Sequence, residues 1–232
     1  MSHFEVALAL FPHRPSRDAS MRASAEPMMG KPSERQAAVI RLPGGGSDEE
    51  LVASLRQGKS TAGRDLVYAY GGYVRKVLMR VLGPDRELDD LAQDVFVVAL
   101  ESLHKLENPP ALRGWLAQIA VFRARRCLRG RKQWRILRFF APEAMPPGPA
   151  STPDLEASEA LRAAYRVLSL LQVDERIAFA LRFIEGMDLA EIAAACRVSL
   201  ATTKRRLARA EARFVELARD EPALAEWMGA PR

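Results

Sequence analysis

The sequence predicts an all-α protein of two small helical domains joined by a proline-rich linker. Three observations carry this. Apolar residues recur at three- and four-residue steps over long stretches of the chain. No stretch alternates apolar and polar residues in the manner of a half-buried strand. A cluster of prolines near the middle separates two helical regions. The chain has 232 residues, 48% of them hydrophobic, which is enough for two small cored domains.

The elements follow in order. Residues 1–46 contain Pro12, Pro15, Pro27, Pro32 and Pro43, then Gly44-Gly45-Gly46, and hold no helical or strand period. A disordered tail is expected there. Met21, Met28 and Met29 lie within it, and a translation start later than Met1 is expected. Helical pattern begins at Ser47, which with Glu50 forms a capping-box signature ahead of Leu51, Val52 and Leu55. A second helix is expected from Thr61 to Leu82, on the stripe Leu66, Tyr70, Tyr73, Val74, Val77, Leu78 and Val81, and Gly83-Pro84 stops it. A third carries Leu88, Leu91, Ala92, Val95, Phe96, Ala99, Leu100 and Leu103 as one buried stripe. After Asn108-Pro109-Pro110 a fourth runs from Ala111 toward Arg138, with Leu112, Trp115, Leu116, Ile119 and Phe122 inward. The first domain is thus placed at 47–140 and the linker, rich in proline and stiff, at 141–154. The second domain is placed at 155–219 and a C-terminal tail at 220–232.

Charge is segregated. The net charge of +6 suggests a polyanionic partner only weakly. Its distribution says more. Residues 85–94 hold Asp85, Glu87, Asp89, Asp90 and Asp94 against Arg86 alone. Residues 108–142 hold no acid, but Arg113, Arg123, Arg125, Arg126, Arg129, Arg131, Lys132, Arg135 and Arg138. Trp115, Phe122 and Trp134 interleave them. Such a helix tracks phosphates and stacks unpaired bases, although a basic run is often only a solvated face. Asp90, Gln93 and Asp94 are spaced i, i+3, i+4 and share one exposed face. Acids in a first turn also complement the helix dipole, which by itself accounts for Asp89 and Asp90.

A helix-turn-helix pattern lies near the C-terminus. Asp188, with Glu191 three residues on, caps a helix from Leu189 to Ala195. A turn at Arg197-Val198 leads to Ser199, which caps the next helix. There Leu200, Thr203, Leu207, Ala210 and Phe214 are expected inward, with Thr202, Arg205, Arg206, Arg209 and Arg213 opposite. Arginine reaches both guanine edges and phosphates, as a recognition helix requires. An ordinary amphipathic pair with solvated arginines is the bland alternative.

Other chemistries find little support. Cys127 and Cys196 match no metal-ligand spacing and read as reduced thiols. His3, His13 and His104 are the only histidines, and no nucleophile–base pair or glycine-rich phosphate loop is present. No catalytic residue, metal site or cofactor is therefore assigned. No apolar run approaches the ~18 residues of a membrane span, and a cytoplasmic protein is expected.

In this order the segments resemble extracytoplasmic-function (ECF) sigma factors of the sigma-70 family. DEELVASLRQGKSTAGRDLVYAYGGYVRKVLMRVL (48–82) is similar to the opening helices of their region 2. ELDDLAQDVFVVAL (87–100) resembles the family's DAEDLVQEVFLRAW, the most specific match. LRGWLAQIAVFRARRCLRG (112–130) resembles LRAWLYRIARNLALDRLRR. RFIEGMDLAEIAAACRVSLATTKRRLARAEARF (182–214) resembles the region 4 pattern GLSYEEIAELLGISVGTVKSRLHRAR. The chain departs from the family at Val121-Phe122, Arg126, Cys196-Arg197 and Ala201 to Arg205.

The resemblance implies a region 2 helical bundle and a region 4 helix-turn-helix. It implies a promoter-specificity subunit whose partners are core RNA polymerase (β′ clamp helices and β subunit), promoter DNA and an anti-sigma factor. Asp90, Gln93 and Asp94 would dock on β′. Lys105, Asn108, Arg113, Trp115, Arg123, Arg125 and Arg126 would take the minus-ten element, with the 106–113 loop capturing a flipped base. Ser199, Thr202, Lys204, Arg205, Arg206 and Arg209 would take the minus-thirty-five element. A stand-alone helix-turn-helix regulator is the alternative, and it would bind symmetric duplex sites tightly without polymerase.

Overall fold

Ser47 opens the described structure as the capping box its sequence predicts. Its hydroxyl accepts from the Glu50 N–H, and its own N–H donates to the Glu50 carboxylate at 3.1 Å. The computed structural model describes residues 47–137 and 155–224, with backbone alone at 132–137 and 155–158. The expected N-terminal tail, the linker and residues 225–232 lie outside the described residues.

Among the described residues the ordered elements are all helical. The first unit comprises α1 (Asp48–Arg56), α2 (Ala62–Leu82), α3 (Leu88–Glu101) and α4 (Leu112–Leu137). Short 3-10 turns at Leu103–Lys105 and Pro109–Ala111 lead from α3 into α4. The second unit comprises α5 (Leu155–Leu170), α6 (Val173–Phe179), α7 (Leu189–Cys196) and α8 (Leu200–Ala218). A π-helical turn at Ala180–Ile184 follows α6 directly.

Side chains from α2, α3 and α4 build the core of the first unit. Val74, Val77, Leu78 and Val81 from α2 meet Val95, Phe96 and Ala99 from α3. Leu112, Leu116, Ala117, Ala120, Val121 and Ala124 come from α4. In the second unit Phe179, Phe183 and Phe214 cluster, with the Phe179 ring centroid 4.6 Å from each of the others.

Three inward assignments from the periodicity are corrected. Leu100 is 43% exposed, Leu200 45% and Phe122 57%. For Leu200 the cause is position: it is the first residue of α8, where the chain has only begun to turn toward the core. For Phe122 the cause is competition. Val121 beside it is fully buried, and the alanines of α4 supply the inward face. Trp115 is only partly buried.

The two units dock on each other. Helix α4 lies against α6 and α7, and α2 touches the π-helical turn. Arg176, itself buried, donates from Nε to the Val81 carbonyl at 3.0 Å and from Nη2 to the Leu82 carbonyl at 2.9 Å. These are carbonyls of the last turn of α2, which have no intrahelical partner. Burial pushes the Arg176 pKa down to about 10. Lys76 pairs with the nearly buried Glu185 at 3.3 Å, and the Tyr165 hydroxyl lies 3.3 Å from the Met79 carbonyl.

Candidate nucleic-acid interface

Helix α3 carries the acidic face because its apolar stripe packs against α2 and α4. Leu88, Val95, Phe96 and Ala99 are buried, so Asp90, Gln93 and Asp94 are left in solvent together. Asp89 is drawn aside to Arg75 at 2.7 Å. Asp94 lies 3.9 Å from Arg123 of α4, so the acidic and basic surfaces adjoin at that pair.

Helix α4 presents the basic surface. Phe122, Arg125, Arg126, Arg129 and Gly130 line a shallow open cleft of about 400 Å³. Phe122 supplies an exposed aromatic face beside three guanidiniums. Arg126 and Arg129 are exposed, whereas Arg125 and Arg123 are partly buried. At the N-terminal end of α4, Arg113 stacks over the Tyr73 ring at 4.5 Å, a geometry in which the ring's negative face attracts the cation. Lys105 and Asn108 are exposed in the preceding loop. That loop is anchored by Leu106, which is buried and accepts a hydrogen bond from Arg56 through its carbonyl. The side chains of Lys132, Trp134 and Arg135, and all of Arg138, lie outside the described residues.

The helix-turn-helix is formed by α7 and α8. Asp188 and Glu191 make the expected capping box, each bond 2.8 Å long. Ser199 caps α8, its hydroxyl accepting from the Thr202 N–H at 3.2 Å and lying 3.0 Å from the Thr202 hydroxyl. These two candidate contact residues are therefore occupied with each other. Lys204, Arg205 and Arg209 are exposed on the outer face of α8. Arg206 is partly buried and reaches Asp174 of α6, within the same unit, at 3.1 Å. The turn itself rests on Arg197 in the left-handed conformation (φ 55°, ψ 50°).

The residues that sequence reasoning missed are those joining the two units: Asp174, Arg176, Glu185 and Tyr165. Asp174 and Glu175 stand in the first turn of α6, where acids complement the helix dipole. No signal in the sequence marks Arg176, whose burial against the α2 carbonyls appears only in the structure. Among the described residues no group of three or more His, Cys, Asp or Glu is placed to hold a metal ion. No described helix is long and apolar enough to cross a membrane.

Comparison with known proteins gives matches over both units. The model of sigma-70 region 2 matches residues 66–135, and that of sigma-70 region 4 matches residues 161–214. The ECF RNA polymerase sigma-E factor of Escherichia coli K12 is 30% identical over 173 residues, covering 71% of this chain and 90% of that protein. RNA polymerase sigma factor NccH of Alcaligenes xylosoxydans xylosoxydans is 29% identical over 175 residues, covering 73% of this chain and 94% of its own length. In fold, the chain is similar to CnrH in complex with the cytosolic domain of CnrY (TM-score 0.54, 24% identity, 75% of this chain and 98% of that one). It is also similar to the sigma factor RpoE of Bartonella quintana in complex with the anti-sigma factor NepR (TM-score 0.50, 23% identity, 69% of this chain and 99% of that one). With region 2 and region 4 matched in order and most of each curated relative covered, the chain belongs to the sigma-70 family, as an RNA polymerase sigma factor of the ECF type.

Proposed function

We propose that the chain directs core RNA polymerase to promoters through three surfaces. The exposed Asp90, Gln93 and Asp94 face of α3 docks on the basic clamp helices of β′. The α4 surface and the loop before it, with Lys105, Asn108, Arg113, Trp115, Arg123, Arg125 and Arg126, take the minus-ten element as it opens. The outer face of α8, led by Lys204, Arg205 and Arg209 with Arg206 joining, enters the major groove of the minus-thirty-five element. Ser199 and Thr202 set the start of that helix. The protein acts without catalytic chemistry of its own, in the compartment that holds the polymerase.

The observation that carries this reading is the cleft on α4. An exposed aromatic ring among guanidiniums offers stacking to a base and charge to its phosphate. Stacking is worth about 1–3 kcal/mol per base, which offsets a few kcal/mol of unpairing. Two solved relatives are held by an anti-sigma factor or by the cytosolic domain of CnrY. A protein of that kind is the proposed regulator here.

The test is transcription by purified chain with core polymerase on the chain's own upstream region. Initiation that depends on both components supports the proposal, and its absence overturns it. The double variant Asp90→Ala, Gln93→Ala is expected to lose capture of β′ while keeping its helical circular dichroism. Unchanged capture would remove the docking role. Arg205→Ala is expected to cost about 1–3 kcal/mol at one base position if it reads a base edge, and a similar amount on all sequences if it holds a phosphate.

A further inference from the structure

The loop that leads from α3 into α4 is held at two points, and α1 supplies both holds. At the first, Arg56 Nη2 donates to the Leu106 carbonyl, 50 residues away, while the Leu106 side chain is buried. At the second, the Pro109–Ala111 turn rests against α1. That turn closes through the Ala111 N–H, which donates to the Asn108 carbonyl at 3.0 Å. Helix α1 is itself fixed to α2. Leu51 and Val52 enter the core, and the Tyr70 hydroxyl donates to Asp48 at 2.5 Å. Gln57 caps α1 and Gly58 follows with φ +67°, so the helix ends where Arg56 meets the loop.

Between the two holds stand Glu107 and Asn108, both exposed. Neither N–H donates to a backbone carbonyl among the described residues. A peptide unit is planar and trans, so a carbonyl pinned one way sends the next N–H the opposite way. Arg56 on the Leu106 oxygen therefore turns the Glu107 N–H away from α1. The bond is charge-assisted, which makes it stronger than one between neutral groups. An arginine in a last turn complements its own helix dipole. This one also fixes a backbone atom of a distant loop.

We propose that Arg56 is a positioning residue for base capture: it fixes the peptide between Leu106 and Glu107, so that the Glu107-Asn108 tip meets an unpaired base already in its binding conformation. The inference rests on the reading of residues 106–113 as the loop that captures a base of the minus-ten element. Arg56 itself touches no base. Without its bond the tip samples other orientations, and each capture must first order the loop. The loss then falls on the captured base alone, because the α3 face and the outer face of α8 keep their contacts.

The experiment uses the full chain with core polymerase on a template from the chain's own upstream region, held open over the minus-ten segment by mismatches. Bases of the non-template strand are removed there one at a time, and affinity is measured for each template. The position whose sensitivity Asn108→Ala abolishes is the one the loop captures. Removing that base is expected to weaken the wild-type complex about 10-fold, the size of contact with one base. Arg56→Ala is expected to bind the intact template about 5-fold more weakly, the effect of one added ordering step. It should bind the base-free template as wild type does, so that base removal costs it only about 2-fold. A merely structural role would weaken both templates equally, and that result overturns the proposal, as does wild-type sensitivity in the variant. A salt slope shallower by about 0.7 on both templates also overturns it, by making Arg56 a phosphate contact. Arg64→Ala makes the same change of charge at an exposed residue of α2 and is expected to match wild type on both templates; an equal effect there counts against Arg56. Arg56→Met, which keeps the apolar stem without the donor, replaces the Ala variant should that one lose its helical circular dichroism. A wild-type complex with no position that Asn108 governs overturns the capture reading, and the positioning role with it. A governed position that stays fully sensitive in Arg56→Ala overturns the positioning role alone.

Discussion

Arg197 holds the backbone where the helix-turn-helix reverses, at φ 55°, and it is the only non-glycine residue with positive φ among those described. A side chain there costs about 1–2 kcal/mol relative to the right-handed region, and glycine largely escapes that cost. Arg197→Gly is therefore expected to raise stability by about 1 kcal/mol in denaturant unfolding; a lower midpoint would show that the arginine side chain holds the turn. The strain was foreseeable from the sequence, because Cys196-Arg197 stands where the resembled family has Leu-Gly. Phe122 presents the opposite case. Its exposure was hidden from the apolar pattern, which counts a phenylalanine as core. Small neighbours decide the matter, with Ala117, Ala120, Val121 and Ala124 filling the interface that Phe122 would overpack. Phe122→Ala is expected to change stability by less than about 0.5 kcal/mol, as for other surface sites. On opened promoter with polymerase it should lose about 1–3 kcal/mol of strand binding, and Phe122→Trp should restore it. Strand binding equal in all three proteins would remove the stacking role.

At the scale of elements, helix ends were the most legible feature. The boxes at Ser47 and Asp188 and the cap at Ser199 form where the residues place them. Local hydrogen bonds over three residues depend on little else. The end of α2 is subtler. Gly83 has φ +81°, which stops the helix, and a Cβ there would stand 2.9 Å from Tyr165 Cδ1. The turn signal was visible, but the approach of Tyr165 from the other unit was not. Gly83→Ala is expected to destabilise by about 1–3 kcal/mol through crowding and the strain of a positive φ that essentially only glycine adopts. A thermal midpoint equal to wild type would show that Tyr165 yields freely. Between α2 and α3, Asp85 accepts a hydrogen bond from Arg131 of α4, which also meets Glu87 at 2.8 Å. Burial raises the Asp85 pKa, but the Arg131 bond and the Glu87 N–H lower it further, leaving it below 3.8. Its stabilisation is thus complete above the unfolded value near 3.8 and lost as pH falls toward the lower folded value. Unfolding midpoints should drop below about pH 4 in the wild-type chain, and Asp85→Asn should flatten that part of the curve. An identical acid limb in both proteins would assign the loss to other carboxylates.

On the scale of the whole molecule, α4 faces two ways. One side closes the core of the first unit, and the other meets α6 and α7. Two helical units with a tether were legible from periodicity and prolines, but their docking was not. Nothing in a linear pattern marks Arg176 as the group that caps α2, ninety-four residues from the Leu82 carbonyl. The docked arrangement predicts a compact free chain. Arg176→Ala should leave two carbonyls without their donor at a cost of about 1–3 kcal/mol, and small-angle scattering should show a larger radius as the units part. An unchanged radius would mean that apolar contact alone keeps them docked.

The sequence by itself determined the all-helical class, the caps, the segregation of acid from base, and the resemblance to ECF sigma factors. Each of these rests on residues close together along the chain, where spacing is geometry. Tertiary structure alone decided which side of α4 is exposed, where Phe122 sits, and that Asp174 holds arginines of two helices at once. Those outcomes depend on volumes and charges brought together from distant positions, and a helix turn carries no record of what will pack against it.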